Sequence, residues 1–126
     1  MTPAMTPVCL LDDIEVEGGV AALVAGFAVA IFRTHDGNVY AISNYDPVAH
    51  ASVLARGIVG TRGDAPTVAS PLHKEVYDLR TGECLDRPGV AVPVYPVRVR
   101  DGLVEVGVER VRGSARVAEP SRRDER

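Results

Sequence analysis

The side chains best suited to chemistry lie in two short segments near the middle of the chain. Asp46 and His50 follow one run of β-prone residues, and Ser70 and His73 follow another. Carboxylate, hydroxyl and imidazole groups could hold a mononuclear metal ion if the two segments converge, although zinc sites usually carry stronger ligand sets. We therefore expect Asp46 to accept backbone N–H bonds in the turn at Pro47, and His73 to be hydrogen-bonded within its loop.

The cysteines offer no metal or redox motif. Cys9 and Cys84 are the only two, and neither belongs to a C-x-x-C or C-x-H arrangement. Two thiols cannot make a disulfide framework, so we expect reduced cysteines in a cytoplasmic protein. Residues 1–11 contain no basic residue ahead of an apolar run, and the longest apolar stretch, residues 20–32, is interrupted by Gly26. We therefore expect neither export nor a membrane span.

Other chemistries find no support in the sequence. Ser70 lies in no nucleophile-elbow motif, which argues against a hydrolase. Gly57 and Gly60 match neither phosphate-loop pattern, and we expect them to serve tight turns. The formal charge is only −3, and no stretch in the body of the chain concentrates Lys and Arg, so nothing suggests a nucleic-acid partner. We expect no catalytic residue.

Short β-prone runs separated by turn residues predict one all-β domain, a sandwich or barrel of about six to ten strands. Residues 18–44 indicate a three-stranded meander, with a helix over residues 20–32 as the alternative. Further strands are predicted as a hairpin within 67–79, a strand at 90–95 and a closing hairpin over 97–108. Residues 46–65 lack the alternation and predict a long loop with a short helix over 49–55, where a site would lie. The domain is predicted over residues 8–108, and residues 109–126 are predicted to be a charged, flexible tail.

Residues 41–48, together with 70–73 and 76–82, resemble the two cluster-binding loops of a Rieske ferredoxin domain. In that family each loop supplies one Cys and one His, so that two thiolates hold one iron and two imidazoles hold the other. The resemblance places these four positions at Asp46, Val48, Ser70 and His73, of which only His73 retains a ligand. A [2Fe-2S] cluster requires soft thiolate donors, so we expect no cluster and no metal in this chain.

The motifs at residues 44–47, 56–60, 69–74 and 95–99 resemble the small subunits of NADH-dependent nitrite reductases, a Rieske-like branch in which the ligands are replaced. The resemblance covers residues 8–108. It implies a Rieske-like fold and a role in cytoplasmic reduction of nitrite to ammonia, beside a large subunit carrying FAD, a [4Fe-4S] cluster and siroheme. We expect an accessory subunit that binds the large subunit through its two loops, with Arg56, His73 and Lys74 as candidate contacts.

Two alternatives stay open at this point. The chain could be a Rieske-type electron carrier that binds an atypical metal centre through His73, which iron content would reveal. It could also be a free-standing Rieske-like interaction module, because one fold serves many functions. Lack of association with a siroheme-containing subunit would favour the module.

Overall fold

The computed structural model describes residues 4–108, which form twelve β-strands and two 3-10 turns and so confirm the predicted all-β class. The strands are β1 (Met5–Leu10), β2 (Gly18–Val24), β3 (Phe27–Arg33), β4 (Val39–Ser43), β5 (Tyr45–Asp46), β6 (Ala51–Ser52), β7 (Ile58–Arg62), β8 (Ala65–Ala69), β9 (Val76–Asp78), β10 (Val94–Tyr95), β11 (Val97–Arg100) and β12 (Leu103–Gly107). The 3-10 turns span Leu11–Asp13 and Leu54–Arg56. Within these residues no helix is long and apolar enough to span a bilayer. The tail predicted for residues 109–126 lies outside the described residues.

The strands pair in antiparallel sheets of order β10-β4-β3-β2, β1-β12-β11, β7-β8-β9 and β5-β6. The predicted meander is confirmed as β2–β3–β4, and the helical alternative for residues 20–32 is wrong. Between β2 and β3 the turn residues Ala25 and Gly26 have φ angles of 50° and 87°. Positive φ at both central residues gives the primed turn whose twist matches that of the flanking strands. The predicted Asp101-Gly102 turn joins β11 to β12 in the same way, with φ angles of 55° and 79°.

The sheet that contains β3 is the middle layer of the molecule, because its side chains enter a core on each face. Ala30 and Phe32 point to one face and Val29 and Ile31 to the other, and all four are fully buried. The first core, between the middle sheet and β7-β8-β9, contains Ala30, Phe32, Ile42, Leu54, Val59, Val68, Tyr77, Leu79, Cys84 and Val92. The second, between the middle sheet and β1-β12-β11, contains Ile14, Val24, Val29, Ile31, Ala41, Tyr95, Val104 and Val106.

Several local predictions were wrong. The long loop predicted over residues 46–65 contains β7, in which Gly60 pairs with Thr67, so Gly60 serves no turn. The short helix predicted over 49–55 is a 3-10 turn, Leu54–Arg56. Strand β1 was not predicted, and its ladder to β12 is irregular between Pro7 and Cys9. The strand predicted at 90–95 is reduced to β10. The strand count exceeds the predicted range because β5, β6 and β10 have only two residues each.

Candidate functional site

Two loops meet at one end of the molecule. Loop 1, residues 44–57, leaves β4 and leads into β7, while loop 2, residues 70–75, connects β8 to β9. The pairing of Ile58 with Ala69 places the end of loop 1 beside the start of loop 2. Loop 1 is closed by Asn44, whose Oδ1 accepts the Ala55 N–H at 2.7 Å and whose carbonyl accepts the Leu54 N–H at 3.0 Å. Because Leu54 is fully buried, this closure also fixes the loop to the first core.

Asp46 lies where the loops meet, with none of its surface exposed. Its Oδ1 accepts the hydroxyl of Tyr77 at 2.7 Å and the backbone N–H groups of Val48 and Ala49 at 3.0 and 3.3 Å. Its Oδ2 accepts the hydroxyl of Ser70, which reaches across from loop 2. An ionised carboxylate is an acceptor through both oxygens, and all four partners are donors. The predicted turn role of Asp46 is confirmed, and the bonds to Ser70 and Tyr77 extend it. We call Asp46, Ser70 and Tyr77 the Asp46 network.

Ser70 organises loop 2 around this contact. The residue is only 1% exposed, and its Oγ accepts the Leu72 N–H at 3.3 Å. Its own N–H donates to the Glu75 carbonyl at 2.8 Å, and its carbonyl accepts the Lys74 N–H at 3.0 Å. The backbone of loop 2 is therefore folded around a serine whose hydroxyl is bonded to loop 1.

Tyr77 is the functional residue that the sequence analysis missed. It lies on β9 with its side chain fully buried in the first core. Burial, and then the hydrogen bond to Asp46, raise the pKa of its phenol, so the group stays a donor at neutral pH. One sequence clue was available: a tyrosine in a short buried strand requires a polar partner for its hydroxyl, and Asp46 was a candidate.

The charge of Asp46 is compensated differently from that of the other buried carboxylates. Among the described residues three carboxylates are buried. Asp78 pairs with Arg80 at 3.1 Å, and Glu105 pairs with Arg98 at 2.5 Å. Asp46 has no cation partner in this part of the chain, so its four hydrogen-bond donors alone offset the cost of desolvation.

The remaining predicted site residues do not join Asp46 and Ser70. His73 is exposed and makes no hydrogen bond to any described residue, so the predicted bond within its loop is wrong. His50 is exposed, with its Nδ1 3.4 Å from the Tyr45 hydroxyl. The described part of the chain contains no group of three or more His, Cys, Asp or Glu placed to hold a metal ion. Of the four residues of the hypothetical mononuclear site, the structure brings Asp46 and Ser70 into contact. Arg56 in loop 1 and Lys74 in loop 2 are both exposed.

The residues at the four ligand positions do not fit a [2Fe-2S] cluster. Asp46 and Ser70 are hard oxygen donors bonded to each other, and Val48 has no donor. The two thiols are not substitutes, since Cys9 lies on β1 beside the second core while Cys84 lies in the first core. Burial raises the pKa of both thiols, which disfavours the thiolate that iron requires.

Comparison with known proteins identifies the family of the chain. The family model for the Rieske-like [2Fe-2S] domain matches residues 4–107. The chain belongs to this family. Within it, the chain groups with the NADH nitrite reductase small subunits: it is 44% identical to the one from Salmonella typhimurium over 100 residues, covering 79% of this chain and 93% of that protein. The Rieske-like fold predicted from the loop motifs is confirmed.

Two further relatives extend the match. A crystal structure from Mycobacterium tuberculosis, described as an NADH-dependent nitrite reductase small subunit, has a TM-score of 0.83 and 42% identity, covering 88% of this chain and all of that one. A nitrite reductase [NAD(P)H] large subunit from Klebsiella oxytoca is 41% identical over 100 residues, covering 79% of this chain but only 10% of that protein. A Rieske-like domain of this branch therefore also occurs inside a large-subunit chain.

Proposed function

We infer that this chain is the accessory small subunit of a cytoplasmic NADH-dependent nitrite reductase that converts nitrite to ammonia, and that it binds the large subunit. The observation that carries the proposal is the similar segment inside the Klebsiella oxytoca large subunit. In that protein the domain is covalently part of the large subunit. A domain that is a separate chain takes the same place by binding the large subunit non-covalently. Unpaired cysteines in different parts of the molecule agree with a reducing compartment.

The proposed subunit carries no cofactor, and FAD, the [4Fe-4S] cluster and siroheme belong to the large subunit. Support comes from the ligand positions, where Asp46 and Ser70 are already bonded to each other and neither is a thiolate. The chain's contribution is then made through its surface.

The proposed docking surface is the loop-end surface: Leu23, Arg56, Ile58, Leu72, His73 and Lys74. Leu23 and Ile58 are each 72% exposed, and Leu72 is 55% exposed. All three lie at the loop end. Leu72 is in loop 2, and Ile58 begins β7 directly after loop 1. Leu23 pairs with Ala28, whose carbonyl accepts the N–H of Asn44 at the start of loop 1. Large apolar side chains gathered in this way are typical of protein interfaces.

The charge of this region indicates what kind of partner fits. The whole chain has a formal charge of −3, yet residues 47–74 contain three Lys or Arg against a single acid, Asp64. Arg62 and Asp64 both lie at the opposite end of the β7–β8 hairpin, so the charged residues of this range at the loop end are Arg56 and Lys74. Glu75, next to Lys74, is paired with Arg87. Arg56 and Lys74 form no ion pair with any described residue. The surface therefore fits an apolar patch with an acidic rim on the large subunit, which would also speed association.

Co-purification with the large subunit tests the proposal. Tagged small subunit should retain the siroheme-containing subunit, and Leu72→Ser or the pair Arg56→Gln with Lys74→Gln should weaken the complex at least about tenfold. Leu10→Ser and Arg100→Gln are the matched controls, because both residues are exposed on the β1-β12-β11 sheet. If the controls weaken binding as much as the loop-end variants do, the docking surface is misplaced. If wild type does not bind, the proposed function is wrong.

Iron and acid-labile sulfide analysis of anaerobically purified protein tests the cofactor assignment. We expect a folded, colourless and iron-free chain. Stoichiometric iron and sulfide would contradict the ligand argument and favour an electron carrier.

A further inference from the structure

The Asp46 network connects the exposed parts of the two loops through one buried group. Asp46 accepts the N–H groups of Val48 and Ala49 in loop 1, while Ser70 accepts the N–H of Leu72 in loop 2. The hydroxyl of Ser70 then bonds to the Asp46 carboxylate. The backbone at Leu72, on the loop-end surface, is therefore only two hydrogen bonds from the carboxylate.

A third member fixes this connection to the core. The Tyr77 ring packs in the first core, and its hydroxyl reaches Asp46 at 2.7 Å. The carboxylate is thus held by loop 1, loop 2 and β9 together. Among the described residues, the bond from Ser70 to Asp46 is the only side-chain hydrogen bond that joins loop 1 to loop 2.

Burying this charge has a substantial desolvation cost. A carboxylate without a cation needs every lone pair satisfied, and a well-packed apolar pair usually stabilises a core at least as well. The network therefore does something that simple packing would not: its directional bonds fix the position of one loop relative to the other.

We propose that Asp46 is a positioning residue, whose buried carboxylate joins loops 1 and 2 in the way a shared metal centre would and so preforms the loop-end surface for the large subunit. The proposal rests on the proposed function. A preformed surface binds more tightly because less conformational freedom is lost on association. Loosening the link should weaken docking even though Asp46 and Ser70 are buried and touch no partner.

Ser70→Ala tests the link, because it removes the hydroxyl between the loops and leaves Asp46 its bonds from Tyr77, Val48 and Ala49. It also removes the acceptor of the Leu72 N–H, so the Leu72 amide does not report the link. Thr34→Val is the matched control: Thr34 is 4% exposed, and its hydroxyl donates to the Asp36 carboxylate in the distant β3–β4 turn. Both variants lose a hydroxyl bonded to a carboxylate. Only Ser70→Ala changes the loops.

Two measurements are made on each variant of the full chain. Amide hydrogen exchange of Val48 and Ala49 reports loop 1, that of Lys74, whose N–H donates to the Ser70 carbonyl, reports loop 2, and titration with purified large subunit reports docking. In Ser70→Ala we expect these three amides to exchange about ten- to a hundredfold faster, as expected for a lost hydrogen bond to a charged group, and affinity to fall about tenfold. In Thr34→Val neither the exchange of these amides nor the affinity should change, even if the melting temperature of this variant falls as far as that of Ser70→Ala.

The outcomes separate the inference from the proposed function. Unchanged exchange in Ser70→Ala would show that the carboxylate does not hold the loops. Faster exchange with undiminished affinity would show that loop position does not control docking, and either result overturns the inference. If wild type itself does not bind the large subunit, the proposed function fails and the inference fails with it.

Discussion

Replacing Tyr77 by phenylalanine removes one hydroxyl from the Asp46 network and leaves the ring in the first core. Asp46 then keeps its bonds from Ser70, Val48 and Ala49. The loss is one hydrogen bond to a charged acceptor, so we expect the free energy of unfolding to fall by about 1.5–3 kcal/mol near neutral pH. Truncation to alanine would add the cost of a cavity and obscure this contribution.

The difference between wild type and Tyr77→Phe should depend on pH. Burial and the Asp46 bond raise the pKa of the Tyr77 phenol above its ordinary value of 10.0. In the unfolded chain this phenol loses its proton near pH 10, whereas in the folded chain it keeps it. The contribution of the phenol to stability is therefore complete below pH 10 and falls above it by about 1.4 kcal/mol for each pH unit. The advantage of wild type should disappear about one to two pH units above 10.

Urea unfolding followed by circular dichroism, at intervals from about pH 8 to about pH 12, measures this difference. Tyr40, Tyr45 and Tyr95 are present in both proteins, so their ionisation largely cancels when the two free energies are subtracted. A constant difference across this range would refute the reasoning, because it would mean that the Tyr77 phenol ionises as readily in the folded chain as in the unfolded one. No difference at neutral pH would mean that the bond to Asp46 does not stabilise the fold.

Two other predictions concern the loops. A Cβ added at Gly57 would clash with the Ala69 carbonyl oxygen, whereas at Gly60 the nearest atom is 3.8 Å away. Gly57→Ala should therefore lower the free energy of unfolding by about 1–3 kcal/mol and Gly60→Ala by less than about 1 kcal/mol, and equal effects in chemical denaturation would contradict the close approach. Asp46→Cys or Ser70→Cys alone should remain colourless and free of iron beside wild type expressed in the same cells, because each still leaves fewer than four suitable ligands. A stable reddish-brown, iron-loaded product from either change would show that the ligand argument is wrong.

The parts of the fold that the sequence predicts are those with local causes. The β2–β3–β4 meander was predictable because Gly26 and the turn at residues 35–38 interrupt runs of β-branched and aromatic residues. The Asp101-Gly102 turn predicted the β11–β12 hairpin for the same reason. Asp46 and Ser70 could be assigned to two neighbouring loops because the surrounding motifs resemble a known pair.

The missed features depend on partners that are distant in sequence. Strand β7 contains Gly60 and does not alternate clearly, and it becomes a strand by pairing with β8. Strand β1 includes Pro7 and is completed by β12, almost the whole chain away. The bond between Tyr77 and Asp46 spans 31 residues. Register and side-chain partners of this kind are set by tertiary packing, which single-sequence patterns do not contain.

A scaffold whose loops are joined by a carboxylate has different requirements from one whose loops are joined by a metal. Metal-bound domains couple folding to metal supply, since the site does not exist in the unfolded chain. Here the same two loops are connected by Asp46, Ser70 and Tyr77, and their anchor, Leu54, lies in an apolar core. Hydrogen bonds from hydroxyl and amide donors require no cofactor and no redox state. These bonds hold the loop end without a bound group, as the proposed accessory subunit requires.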